Sequence, residues 1–311
     1  MTSTSRPSPT INYRYDKAKA DTQARRAIEL IQSKKIIKSV GTNRDYRQCL
    51  KGLAQYIKDE KLGDLRHVTK ETVERFLNEK KFEYQQKTLD QYRQAAQALI
   101  HARDGVEVKI ERVKSDVMTV KEHRAYTPEQ IERVASRQSE KYAFSTILAH
   151  AAGLRAHELL TIRRLSEQPA DVRRYEDGST KTLETKWKGR EPGERYSVIG
   201  KGGLCREVRV PSDLARELEN RRLSEPISVK DRNVNYECQY DLAGGKKWSD
   251  SFSKASEREL GWSTGAHGLR HTYAQERMAE LTCTENDDKA LATVSQEMGH
   301  WRPDITTEYL R

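Results

Sequence analysis

Apolar residues recur along this chain with helical spacing from about position 15 to position 105 and with mixed periods afterwards. Residues 1 to about 14 are rich in Ser, Thr and Pro and carry no periodicity, which predicts a flexible arm. Residues 15 to 33 then set Ala24, Ile28 and Ile31 one turn apart, predicting a helix that stands outside the main domain. In TNRDYRQCLKGLAQYIKDE, Thr42 suits a helix cap and Tyr46, Leu50, Leu53 and Ile57 form one stripe. Thr69 caps the next segment, VTKETVERFLNEKKF. A fourth helix carries Leu89, Tyr92, Ala96 and Leu99 and stops at Gly105.

The pattern changes after that. Residues 106 to 126 are polar and highly charged without clear helical period and read as connection. A new start follows at TPEQIERVASR, where Thr127 can cap and Pro128 suits the first helical position. Residues 140 to 164 are helical in pattern, whereas 180 to 211 hold short alternating runs broken by Gly and Pro, which predict a small antiparallel sheet. Helical pattern returns at 212 to 225 and from about 250 onward, while 226 to 248 fits either an added hairpin or a loop. The predicted fold is mainly α with a small antiparallel β-sheet, an α+β arrangement. At 311 residues the chain suits two domains. The boundaries are 1–33 for the arm and its helix, 34–115 for an all-helical domain, 116–126 for a linker and 127–311 for the second domain.

Composition narrows the partners. Lys and Arg number 57 against 47 Asp and Glu, a net charge of +10, which favours an anionic partner such as a phosphate backbone. Four scattered cysteines without a CxxC pair suggest neither a zinc ribbon nor a disulfide framework and fit a reducing cytosol. The first residues lack an apolar export core, and no run approaches the ~18 apolar residues of a membrane span. The expected location is therefore cytoplasmic, with no membrane partner.

Cutting a phosphodiester requires a nucleophile, cations on the non-bridging oxygens and an acid for the departing oxygen. This chain holds those types in order. In AHAAGLRAHELLTI, Arg155 follows the Gly153 break, where its planar fork can leave a helix face and grip a phosphate; Glu158 stands three residues on. In SVIGKGGLCREVRVP, glycines flank Lys201 at the tip between two strands. In GAHGLRHTYAQERM, His267 and Arg270 lie one helical turn apart. His267 and His271 have metal-ligand spacing, but no HExxH pattern or third ligand stands nearby, so no metal is assigned. In EMGHWRPDITTEYLR, His300 sits at a glycine-marked helix end and Tyr309 nine residues later. Each of these residues alone is more common as a surface or packing residue. Their order is what carries weight.

That order resembles the tyrosine recombinase family, phage-type integrases and Xer-like enzymes, over residues 127 to 311. The resemblance implies a helical core-binding domain that contacts DNA, followed by a catalytic domain. It implies that Tyr309 is the nucleophile, Arg155 and Arg270 the clamp on the scissile phosphate, and Lys201 the acid that protonates the leaving 5′ oxygen. His267 would be the acid/base partner of the tyrosine, His300 a hydrogen-bond partner of a non-bridging oxygen, and Glu158 a supporting residue. The implied activity is site-specific recombination or integration through a 3′-phosphotyrosine intermediate, with no cofactor, metal or ATP. Double-stranded DNA would be the partner, engaged by a homotetramer on two sites with accessory DNA-bending or directionality factors, in the nucleoid. Strand relaxation of the type IB topoisomerase kind shares this chemistry. A catalytically idle DNA-binding regulator would share only the fold, and the intact residue set argues against it. The segment between Arg270 and His300 is longer and more acidic than the family pattern leads one to expect, suggesting an inserted loop.

Overall fold

The computed structural model describes residues 18–118, 122–300 and 302–310, and Lys201 in its backbone only. The predicted arm at 1–14 and part of the linker therefore lie outside the described residues. The chain divides into two compact units, residues 1–120 and 121–311. Among the described residues, no helix is long and apolar enough to cross a membrane.

The first unit is built from α1 (Ala20–Ser33), α2 (Val40–Asp59), α3 (Lys70–Lys80) and α4 (Gln86–Asp104). Each turns an apolar stripe inward: Ala24 and Ile31, Leu50, Leu53 and Ile57, Val73 and Phe76, Leu89 and Ala96 are all buried. The stripe of α1 is part of this same core, so the helix expected to stand apart is integral to the unit. Gln23 of α1 fastens it by accepting from the backbone N–H of Leu65 at 2.8 Å. Helix α2 begins earlier than Thr42, because Ser39 caps it by accepting from Thr42 N. The caps expected at Thr69 and Gly105 are present. Residues 106 to 115 are extended yet not free connection. Ile110 is fully buried, and Ser115 donates to Tyr84 O at 2.6 Å.

In the second unit, Thr127 and Gln130 form a reciprocal capping box that opens α5 (Pro128–Ser136), and α6 (Glu140–Ala151) follows. A three-stranded antiparallel sheet has the order β1 (Arg163–Arg164), β2 (Gly193–Ile199), β3 (Cys205–Pro211). Residues 181 to 192, expected to add alternating strand, are irregular backbone with turns at 184–189, and Thr180 makes only an isolated bridge to Arg174. After α7 (Ser212–Asn220) a second hairpin is made by β4 (Arg222–Asp231) and β5 (Val234–Tyr240), resolving the ambiguity at 226–248. Helices α8 (Gly245–Leu260), α9 (Gly268–Thr282), α10 (Asp287–Glu297) and α11 (Pro303–Thr307) complete the unit. No long loop is inserted between Arg270 and His300. The acidic residues Asp287 and Asp288 fill the first turn of α10, where they meet the positive end of the helix dipole, and Asn286 caps it.

The core runs from Val134 and Leu148 through Val198, Val208 and Val210 to Trp248, Phe252 and Leu269. A smaller cluster joins Tyr273, Leu281, Val294 and Met298, with Tyr309 and Leu310 packed against it.

Gly153 ends the turn after α6 at φ +57°, where a β-carbon would also meet the Tyr273 ring at 2.7 Å. Gly105 has a similar backbone, φ +73°, but open space around it. Gly105→Ala should therefore cost about 1 kcal/mol from backbone strain alone, and Gly153→Ala roughly 3 kcal/mol because overpacking is added. Urea denaturation of both variants checks this, and equal losses would contradict it.

Candidate active site

The turn after α6 points Arg155 away from the helix and folds it back on Glu158. Arg155 donates its backbone N–H to Glu158 Oε2 at 2.8 Å and its Nη1 to Oε1 at 2.7 Å. The helical pattern expected as far as residue 164 gives way at this point to a single 3-10 turn, Glu158–Leu160. From the opposite side Arg206 of β3 reaches the same carboxylate, Nη2 to Oε2 at 2.8 Å and Nε to Oε1 at 3.3 Å. Its remaining donors go to the carbonyls of Glu297 at 2.7 Å and Gly153 at 3.1 Å. Glu158 is wholly buried. Burial by itself would raise its carboxyl, but the charges of Arg206, Arg270 and Arg155 outweigh that and hold it well below the usual carboxylate range.

The start of α9 is set by Tyr126. Its backbone N–H donates to Thr272 Oγ1 at 2.9 Å, and its ring lies so close to Gly268 that a β-carbon there would come within 2.4 Å. This places His267 at the helix cap and Arg270 in the first turn. Arg270 is fully buried and donates to the carbonyls of Gly153 and Met298. Its Nε is buried without a hydrogen-bond partner. Burial, then the charges of Arg155 and Arg206, pull its proton affinity below that of an ordinary guanidinium. Three arginines against one carboxylate leave a surplus of positive charge, and an arriving anion would relieve it.

His300 closes the arrangement. Its Nε2 accepts from Arg155 Nη2 at 3.0 Å and from Arg270 Nη2 at 3.3 Å. Its Nδ1 is 3.2 Å from Thr306 Oγ1. Burial, then Arg270, Arg155 and Arg206, push its pKa down to about 3, so the ring is neutral. The half-buried Tyr309 ring lies among three imidazoles, with centroids 5.4 Å from His267, 4.7 Å from His271 and 5.0 Å from His300, and the Arg270 guanidinium is 5.7 Å from its centre. Gln275 Nε2 donates to Tyr309 O at 3.2 Å, fixing the backbone on α9. His267 is the most solvent-open of the three rings. Protein packed around it, then Arg270 and His271, lower its pKa to about 3, so this ring too is neutral.

The structure thus brings Arg155, Glu158, His267, Arg270, His300 and Tyr309 together. The Lys201 side chain lies outside the described residues. Its backbone is in the turn between β2 and β3, and a side chain at the preceding Gly200 would come within 3.3 Å of Glu158 Oε1. Among the described residues no group of three or more His, Cys, Asp or Glu is placed to hold a metal. Sequence reasoning missed Arg206 and Thr306. The signal for Arg206 was present: in CREVRVP it shares the phase of the buried Val208 and Val210, an inward position where a charge needs a reason. Thr306 offered no such signal.

No family model matches the sequence, and no curated protein matches it either. Solved structures do. A lambda integrase dimer bound to a COC′ core site superposes with a TM-score of 0.57 at 14% identity, over 93% of this chain and 76% of that one. The XerH site-specific recombinase in its post-cleavage complex with difH gives 0.54 at 18%, over 86% and 76%. The Tn1549 transposon integrase in complex with transposon right end DNA gives 0.53 at 14%, over 94% and 95%.

Removing one partner from a buried ion pair leaves a charge uncompensated, so Arg206→Met should destabilise the chain by about 3–5 kcal/mol in urea denaturation; a loss under ~1 kcal/mol would show that Arg155 alone satisfies Glu158. A second expectation concerns pH. His300 has a folded-state pKa below its unfolded value near 6.5, so below that pH the unfolded chain takes up a proton that the folded chain refuses, and stability falls. Lowering the pH from about 7.5 to about 5.0 should cost about 2 kcal/mol through this residue. His300→Asn should lose correspondingly less over the same interval, and an identical loss in both proteins would assign the effect elsewhere.

Proposed function

We propose that this chain, which has the fold of the tyrosine recombinases, cuts and rejoins DNA at specific sites with Tyr309 as its nucleophile. The observation that carries this reading is the Tyr309 ring held among three imidazoles and against Arg270, at the edge of an arginine cluster with surplus positive charge. Arg155 and Arg270 take the non-bridging oxygens of the scissile phosphate and stabilise the charge that develops there. The Tyr309 oxygen attacks phosphorus as its proton passes to the neutral His267 ring. The bond to the 5′ oxygen breaks, and Lys201, on its glycine-flanked turn, protonates the departing oxygen. A 3′-phosphotyrosine and a free 5′ hydroxyl result. In the second half of the reaction a 5′ hydroxyl from a partner strand attacks that linkage, releasing Tyr309. The bond energy is kept in the phosphotyrosine, so rejoining needs no nucleotide. Glu158 and Arg206 do not touch the phosphate in this scheme; they hold the arginine frame in place.

The helical first unit, with its many exposed Lys and Arg, contributes sequence-independent grip on the duplex, and four copies act on two DNA sites, assisted by bending or directionality factors. Phosphate contacts release counterions, so binding should weaken steeply with salt, log affinity falling by roughly 0.9 per phosphate contact for each tenfold rise.

The test is a nicked suicide duplex from the native locus, incubated with wild type and with Tyr309→Phe. Wild type should form a covalent protein–DNA band, and the variant none, at least about a thousandfold less, with DNA affinity within about twofold. Undiminished covalent product from Tyr309→Phe would remove Tyr309 from the reaction. DNA binding without covalent product in either protein would instead support an idle regulator.

A further inference from the structure

We infer that Thr306 is a positioning residue that reverses the proton polarity of His300 when a phosphate enters, and does so only while the segment carrying Tyr309 is docked. The inference rests on the reaction proposed above and concerns a residue that scheme leaves unused.

In the structure both Arg155 and Arg270 donate to His300 Nε2, so that nitrogen presents its lone pair. The neutral ring therefore carries its proton on Nδ1, which donates to Thr306 Oγ1. A phosphate competes for those same arginine donors. Once they turn to its oxygens, an Nε2 lone pair would face negative charge, and the ring can bind the phosphate only by donating from Nε2. The ring then gives its Nδ1 proton to solvent and takes one at Nε2 from solvent, with no change of net charge. Nδ1 becomes an acceptor, and its partner must become a donor. A hydroxyl serves in either sense by rotation, whereas a carbonyl or a carboxylate holds the Nδ1–H form fixed.

Thr306 is fully buried against His300, so its hydroxyl is the group that Nδ1 meets in the docked chain. It also stands three residues before the nucleophile, and its carbonyl accepts from Tyr309 N at 2.9 Å. When the end of the chain leaves its place, His300 loses both the Tyr309 ring and its Nδ1 partner. The groups facing His300 are the positively charged Arg155, Arg270 and Arg206, the carboxylate of Glu158, and the Tyr309 ring. Surrounded by three cations, the ring resists becoming imidazolium, which leaves tautomer exchange as the route.

Two measurements on the full chain test this. Nitrogen-15 correlation spectra of histidine-labelled protein at about pH 7.5 report the tautomer directly. Free wild type should show His300 as Nδ1–H, and saturating inorganic phosphate should convert it to Nε2–H, with Thr306→Ser behaving as wild type. An Nδ1–H ring that persists at saturating phosphate, or gives no response to it, overturns the inference. In single-turnover cleavage of the suicide duplex, Thr306→Val should slow covalent product at least about tenfold with DNA affinity within about twofold, and Thr306→Ser should restore the rate. Equal rates for the Val and Ser variants would likewise overturn it. Tautomer conversion in a chain that makes no covalent product would sink the strand-transfer reading and leave the role of Thr306 standing.

Discussion

Everything in the second unit that bears on the site is arranged around one buried carboxylate. Glu158 is wholly excluded from water, and a lone ionised carboxylate in that position would be intolerable without compensation. Arg155 and Arg206 supply it through hydrogen bonds from opposite sides, and Arg270 through its charge. The same pairing runs in the other direction: the arginines could not crowd together without the anion between them. Because Arg155 comes from the turn after α6, Arg206 from β3 and Arg270 from α9, the carboxylate also decides how helix, strand and helix meet. Fold and site share a keystone.

A second buried pair repeats the device one layer further back. Arg277 and Glu297 lie with both side chains fully excluded from solvent, 2.7 Å apart, and Tyr273 adds a hydrogen bond to the same carboxylate. Glu297 links the two layers, since its side chain belongs to the rear pair while its carbonyl accepts from Arg206. The Met298 and Gly299 backbone that leads to His300 is thereby held at both ends.

Much of this was legible in the sequence, for reasons that can be named. Arg155, Glu158, His267, Arg270, His300 and Tyr309 carry chemistry in their side-chain types and stand in short motifs marked by glycine, so order along the chain was informative before any geometry was known. Helical stripes and the caps at Thr69 and Thr127 were equally local signals. What escaped depended on distant partners. The place of α1 in the first core depends on Leu65 and Gln23 meeting across 42 positions. The acidic run near Asp287 suggested an insertion because composition was read without its position at a helix start. Arg206 stands out only when strand phase is counted, and Thr306 is an ordinary residue whose importance comes wholly from standing beside His300.

Tyr309 rests in the arginine cluster of its own chain, tied there by Gln275 and by the packing of Leu310 on α9 and α10. The position of the ring is therefore set by a tether as well as by its neighbours. Loosening Gln275 or Leu310 would carry Tyr309 away from the arginines while leaving every charge in the cluster untouched, so the placement of the aromatic ring and the electrostatics of the cluster can be altered independently.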